Sequence, residues 1–551
     1  MEINYKGKKP IERLFEIINL ERQDIHLLIM LSFGYGLLGI STPIAVQALV
    51  NIVTMGGVLQ PLFVVSIILF TLLLLGGVLY VFEGYVVELI QRRLFIRTAL
   101  NVANNTQGVD ISVHDDKNLV ELMNQFFDIS TVQKSASTLL TVGLTAFLQG
   151  FIGAIILIFY SQYFAIIIVI VLIFLAFIIF VLGNNATTTA IDESKAKYAT
   201  AAGLETIAQN FYMFKFYNGL QRVRDLTNNL ANIYLEKRTA HFRTLLHQNI
   251  GGIILYSMIG TVMLALGGAL VIKGQINLGQ FVAAELIIFG VLAAFVRFIS
   301  KLEYFYGMMS ALDKIGELDD LPQEMLGKHQ IDSRNLSHLG AYRLSFNYSQ
   351  RIQPVQDVSF NLAKGESLAV LGASGAGKST LIKIITGLRT PSVGHIEFDG
   401  NDLRQLNQNS LRNLIGLANK VEVTKGSVLE NILLGRSTIA LSTVNLVLNE
   451  LGLLEDFSNL ENGLDTQLTA FGAPLSTTQL QRLMLARAIV GKPNLLIIDG
   501  LLDNLSSDEL NSVLSLLSVH KADWMLMVTT RFENIAEKFN STLVLKQLTG
   551  K

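Results

Sequence analysis

The sequence predicts an all-α transmembrane domain of six helices followed by an α/β P-loop nucleotide-binding domain, and three observations carry that reading. Of 551 residues, 51% are hydrophobic and only 16% are charged, with a mean hydropathy of +0.46. That balance suits a chain that crosses a membrane several times. The apolar residues are concentrated before about residue 310, in six runs each long enough to cross a hydrocarbon core about 30 Å thick. Further on, residues 367–380 read SLAVLGASGAGKST, an apolar strand turning into a glycine-rich loop, with an apolar-periodic helix (LIKIITGL) behind it.

Residues 1–25 form a mixed, basic cytoplasmic segment containing Lys6, Lys8, Lys9, Arg13 and Arg22, without the short apolar core and small-residue cleavage site of a signal peptide. The spans fall near 27–53, 62–82, 139–160, 164–182, 250–272 and 281–299, inside a membrane domain expected over 26–318. The connections after the first and third spans carry no basic residue, and the one after the fifth carries only Lys273. The second-to-third connection holds Arg92, Arg93, Arg97, Lys117 and Lys134; the fourth-to-fifth holds Lys195, Lys197, Lys215, Arg222, Arg224, Lys237, Arg238 and Arg243. Positive charge stays inside, so both long connections and both termini are expected in the cytoplasm.

These connections are helical in pattern and poor in breakers, so they are expected to continue the membrane helices, with turns at 108–116 and 211–219 that could touch the soluble domain. The aromatic cluster Phe211, Tyr212, Phe214, Phe216 and Tyr217 is either a docking surface or the packed face of an amphipathic helix. Among ionisable groups at membrane depth, Glu285 stands one turn inside the sixth span, either as a structural or snorkelling group or as a substrate contact. Glu83, at the cytoplasmic end of the second span, is less informative.

A polar linker is expected over 319–337, with Pro322 and Gly327, and the α/β domain over 338–551. Gly372, Gly375 and Gly377 let the backbone curl so that successive N–H groups point inward, and the helix starting near Lys378 aims its positive end at the same place. Lys378 would reach the terminal phosphates and Ser379, next to Thr380, would hold Mg²⁺. The chain has no cysteine, which excludes a disulfide framework, a thiolate metal site and a cysteine-protease domain. No basic patch with interleaved aromatics points to nucleic acid.

Over essentially its whole length the chain resembles a half-size ABC exporter, six membrane helices followed by one ATP-binding cassette. Tyr348, in LSFNY, matches the aromatic that stacks on adenine. LSTTQLQR (475–482) occupies the place of the family signature LSGGQxQR, with ARAI (486–489) after it, and NLLIID (494–499) resembles the Walker B strand, with Asp499 in the Mg²⁺ shell. The resemblance implies ATP and Mg²⁺ as cofactors and a second cassette-bearing half-transporter as partner. It also implies membrane lipid, a transported substrate, envelope adaptor proteins in some members, and a bacterial inner-membrane location.

The departures make the cassette degenerate. Gly500 stands where the family has the carboxylate that polarises water, and Thr530 where it has a histidine facing the γ-phosphate. A hydroxyl can bond a phosphate but lacks imidazole's charge and proton chemistry. The Q-loop glutamine falls at Asn419 or Lys420, and the glutamate before the signature at Ala470. Thr477 and Thr478 replace the signature glycines, where β-branched side chains impede close backbone approach; Ser476 and Gln479 remain. Two functions follow: an ATP-driven exporter with slow hydrolysis, or a nucleotide-gated regulatory subunit that binds ATP without significant hydrolysis. A soluble P-loop GTPase or kinase fails on the six spans. Apolar spans with a few polar groups, Gln47, Gln149 and Glu285 among them, are compatible with peptide, lipid or amphipathic drug.

Overall fold

The computed structural model describes residues 7–54, 59–116, 118–331, 336–348 and 354–546. Residues 55–58 of the first expected outer connection and 332–335 of the expected linker lie outside the described residues. By its contacts the chain forms two units, Met1–Val109 with Val113–Gln323, and Asp110–Ser112 with Glu324–Lys551.

Among the described residues, the first unit holds six helical segments long and apolar enough to cross a membrane: Arg22–Thr54, Leu59–Gln107, Leu119–Tyr160, Gln162–Gln209, Gly219–Ile272 and Leu278–Asp319. The fifth has 54 residues and is therefore about 80 Å long, more than twice a hydrocarbon core about 30 Å thick. These helices run far beyond any bilayer. The first span departs from the single helix expected over 27–53. It breaks at Gly39 and Ile40 into Arg22–Leu38 and Ser41–Thr54, because Pro43 has no N–H to donate to the Gly39 carbonyl. The third runs from Leu119 to Tyr160, through a π-turn at Leu139–Gly143, so the span expected over 139–160 continues as helix into the connection before it.

The sixth segment is the centre of the bundle. Phe295 is 2% exposed and lies against Gly150, where an added Cβ would come within 2.7 Å of its ring; a Cβ at Gly267 would come within 2.5 Å of Phe281. Small residues on the third and fifth spans thus admit aromatics of the sixth, the packing that replaces the hydrophobic effect in lipid. Glu83 is more informative than its sequence position suggests. It is fully buried, and its Oε1 accepts from Ser32 Oγ at 3.0 Å and Thr145 Oγ1 at 2.9 Å, tying the first three spans together. Gln47 accepts from Tyr160 and Gln149 from Arg297, so both already have partners within the chain. Around the short helix Phe211–Phe214, Phe211, Tyr212, Phe216 and Tyr217 are exposed. They do not form a packed amphipathic face.

In the second unit, β1 (His338–Phe346), β2 (Val355–Ala363), β4 (Val393–Phe398) and β5 (Asn401–Asp402) form an antiparallel sheet in the order β2-β1-β4-β5. The strands β3 (Ser367–Leu371), β6 (Ile415–Ala418), β9 (Leu495–Asp499), β10 (Met525–Thr530) and β11 (Ser541–Val544) form a parallel sheet in the order β11-β3-β10-β9-β6. A short pair, β7 (Gly426–Ser427) with β8 (Gln467–Leu468), completes the strands among the described residues. β3, β9 and β10 are buried almost throughout, as apolar runs in a doubly covered parallel sheet must be. β10 extends through Thr530, and β11 follows on the far side of β3.

Candidate functional site

The parallel sheet assembles the site because all its strands end at one edge, where ligands bind in open α/β sheets. Leu371 pairs with Thr530 and Asp499 with Thr529. The start of the phosphate loop therefore lies beside Thr529–Thr530 and, one strand further, Asp499–Gly500. Gly372 N donates to Thr530 O at 3.2 Å and Gly500 N to Thr529 O at 3.3 Å.

Gly375 and Gly377 have φ of +79° and +90°, and Gly377 precedes the helix Lys378–Ile385. A Cβ at Gly377 would come within 2.1 Å of Pro354 O, so conformation and space both require glycine. Lys378 Nζ folds over the loop and donates to Gly372 O at 2.6 Å and Ala373 O at 2.9 Å. Ser379 is exposed at the helix start and Thr380 is buried. Curled backbone, ammonium and helix N-terminus fit a polyphosphate. Ser379 and Asp499 supply the hard oxygen donors that Mg²⁺ takes.

Asp499 Oδ1 accepts from Thr529 Oγ1 at 2.6 Å, which fixes its carboxylate at the sheet edge. Gly500 has φ of +69°, and a Cβ there would meet nothing within 4 Å. Space for a side chain is present, but the backbone is in the left-handed region that favours glycine.

Thr530 is fully buried. Its Oγ1 donates to Asp503 Oδ1 at 2.5 Å and accepts from Phe532 N at 3.1 Å. Asp503 Oδ2 accepts from Arg531 N at 3.1 Å. The hydroxyl proton that could have met a phosphate is thus already donated. Sequence reasoning missed Asp503; its signal was a lone carboxylate in the otherwise uncharged GLLDNLS after Asp499.

Tyr348 is 40% exposed, with its hydroxyl 3.2 Å from Thr380 Oγ1. Ser476 caps the helix Thr477–Ile489 in a capping box with Gln479. Its Oγ accepts from Gln479 N at 3.3 Å, and Gln479 Oε1 accepts from Ser476 N at 2.9 Å. The Ser476 hydroxyl also lies 3.4 Å from Thr478 Oγ1, and the Gln479 amide N–H₂ stays available. Thr477 and Thr478 open the helix as its first two residues. Asn419 follows β6, and Lys420 is exposed and paired with Glu422 at 2.8 Å; Ala470 is exposed beside Phe471, itself 94% exposed. Within ARAI, Arg487 donates to the carbonyls of Asn431 and Glu422, both at 2.7 Å. Burial lowers its pKa from the ordinary guanidinium value.

Two family models match this chain: ABC transporter transmembrane region over residues 25–295 and ABC transporter over residues 355–502. It belongs to the ABC transporters, in the half-size exporter form: an integral membrane protein with six spans, whose cassette binds ATP, whose transport is ATP-driven, and whose functional unit is a dimer. Among curated relatives, the lactococcin-A transport/processing ATP-binding protein LcnC of Lactococcus lactis is 23% identical over 548 residues, covering 96% of this chain and 74% of that protein. The alpha-hemolysin translocation ATP-binding protein HlyB of Escherichia coli is 29% identical over 241 residues, 43% of this chain and 34% of that protein. In structure, the chain is similar to a bacterial Atm1-family ABC exporter with ATP bound. The TM-score is 0.81 at 18% identity, over 96% of this chain and 94% of that one, a likeness of fold.

Proposed function

We propose that this chain is an ATP-binding exporter half with a degenerate cassette, in which paired cassettes close around ATP while hydrolysis is slow. The observation that carries the proposal is the combination at the sheet edge. Gly500 has neither a carboxylate nor the usual backbone for one, and the Thr530 hydroxyl is spent on Asp503. Lys378 and the loop N–H groups bind the phosphates, Tyr348 offers its open ring to adenine, and Ser476 and Gln479 face the nucleotide held by the partner's loop. Ser379 and Asp499 would hold Mg²⁺, which neutralises phosphate charge when bound. The same observation favours a second reading, a regulatory subunit that holds ATP without significant turnover, and the measured turnover number separates the two.

Binding itself is tested on the full chain in lipid with a fluorescent ATP analogue. Losing the ammonium removes charge-assisted hydrogen bonds of about 1.5–3 kcal/mol, so Lys378→Ala is expected to raise Kd roughly 10- to 100-fold. An unchanged Kd would remove the phosphate loop from the nucleotide site.

We further propose that both termini and the connections around 92–134 and 195–243 face the cytoplasm, with 273–278 outside, as the asymmetry of basic residues supports. The chain lacks cysteine, so each introduced thiol reports alone. An impermeant reagent applied to intact cells should modify Gln275→Cys and leave Lys215→Cys untouched; modification at 215 reverses the topology. The likeness to the lactococcin-A transport protein LcnC over 96% of this chain supports a lactococcin-like substrate.

A further inference from the structure

Both ring nitrogens of His520 face a carboxylate. Nδ1 lies 3.0 Å from Asp523 Oδ2 and Nε2 lies 3.2 Å from Glu450 Oε1. A neutral imidazole has one N–H and one lone pair, so it bonds only one of the two and turns its lone pair on the other; imidazolium donates to both. His520 also closes the C-terminus of the helix Ser507–Val519, its backbone N–H donating to Leu516 O at 3.2 Å, where the helix dipole favours a cation. Hydrogen bonds to Asp523 and Glu450 raise the imidazole pKa above its ordinary value, against the opposing effect of burial. Asp523 belongs to the same turn, its N–H donating to His520 O at 3.0 Å. Glu450, 70 positions away, ends the helix Leu441–Glu450. Trp524, 3% exposed and the chain's one tryptophan, has its ring centroid 5.8 Å from that of the imidazole and leads directly into β10.

The helix Leu441–Glu450 lies between β6 and β9 in sequence, on the stretch that also carries Ser476 and the helix Thr477–Ile489. Its Val444, Val447 and Leu448 are buried in one apolar cluster with Leu483 and Met484 of that second helix. We propose that His520 is a proton-operated latch that fastens this stretch, through Glu450, to the turn leading into β10. Among the described residues, the charged groups facing the ring are Glu450, from the helix, and Asp523, from the turn. The Asp523 pair is made within one turn and survives whatever the helix does; the Glu450 bond spans the two elements. Acid therefore fastens the latch and alkali releases it. The stabilisation is complete below the ordinary histidine pKa of about 6.5 and is lost as pH rises through the elevated value. The side chain is 31% exposed, so protons reach it without unfolding. By linkage, the factor by which protonation tightens the helix equals the ratio of proton affinities with and without Glu450, and half a pH unit is about threefold. The latch needs no nucleotide.

The test uses the full chain in lipid, with Trp524 emission and amide hydrogen exchange of residues 441–450 followed from about pH 5.5 to about pH 9, the range that brackets histidine titration. Imidazolium quenches indole emission more than neutral imidazole does, so emission should rise in one step with a midpoint above about 6.5. His520→Gln should abolish the step, and Glu450→Gln should lower its midpoint by about half a unit or more. Across the same step, exchange protection of residues 441–450, corrected for the pH dependence of intrinsic exchange, should fall about threefold or more in the parent chain and stay level in both variants. A midpoint at or below about 6.5, a step that persists in His520→Gln, or level protection in the parent chain overturns the latch. A midpoint that Glu450→Gln leaves in place overturns it too, since the histidine would then answer only to Asp523.

Discussion

Purified protein in lipid is expected to turn over ATP at no more than about 0.1 s⁻¹, against about 1–10³ s⁻¹ for typical enzymes. A positioned general base contributes about 10²–10⁴-fold, and none stands at Gly500. Loss of one donor aimed at developing charge costs about 10²–10³-fold, and the Thr530 hydroxyl is committed to Asp503. Either loss alone would bring a turnover of about 10 s⁻¹ down to about 0.1 s⁻¹. Pairing does not rescue both sites. With an intact partner cassette, one composite site keeps Gly500, and the other sets a good carboxylate against Thr477 and Thr478. The check is phosphate release from the homodimer, measured at saturating MgATP together with analogue binding. Turnover above about 1 s⁻¹ would show that solvent and the threonine hydroxyls replace the missing groups.

Restoring the carboxylate alone is the second large effect, and its shortfall is the informative part. Gly500→Glu is expected to raise turnover by no more than about tenfold, although a well-placed base is worth about 10²–10⁴. Residue 500 has φ of +69°, a conformation that costs an L-residue roughly 1–2 kcal/mol. Either the side chain is held under strain or the backbone shifts and misplaces it. The open space around the position accommodates glutamate without aiming it. Adding Thr530→His, which frees the Asp503 carboxylate from its hydroxyl and supplies an imidazole, should give a further gain larger than the first. A single Gly500→Glu substitution that brings turnover above about 1 s⁻¹ would refute the backbone argument.

What the sequence made legible was whatever depends on neighbours along the chain. SLAVLGASGAGKST announces strand, loop and helix because glycine freedom and apolar periodicity are local properties, and β3 and the helix from Lys378 lie where that pattern puts them. The six spans were legible because lipid requires a continuous apolar run. The break at Gly39 was missed although Pro43 signals it, since hydropathy averages over a proline. Partners distant in sequence were not legible. Nothing near Glu83 announces Ser32 and Thr145, and nothing near Thr530 announces Asp503, 27 residues earlier. Sheet order was hidden for a related reason: β11 crosses to the far side of β3, and only tertiary pairing decides which edge a short strand takes.

That sheet order also sets a timetable for the newborn chain. β3 carries the phosphate loop, yet its two flanking neighbours are β10 and β11, the last strands among the described residues, and Leu545 N donates to Leu371 O at 2.8 Å just where the loop departs. At about 5–20 residues per second, the ribosome needs on the order of ten to thirty seconds to go from Leu371 to Thr530. Throughout that interval the glycine loop exists without the walls that shape it. Nucleotide capture therefore waits for β10 and β11, and a chain that stalls before β11 would carry its phosphate-binding motif without the strand that pairs beside it.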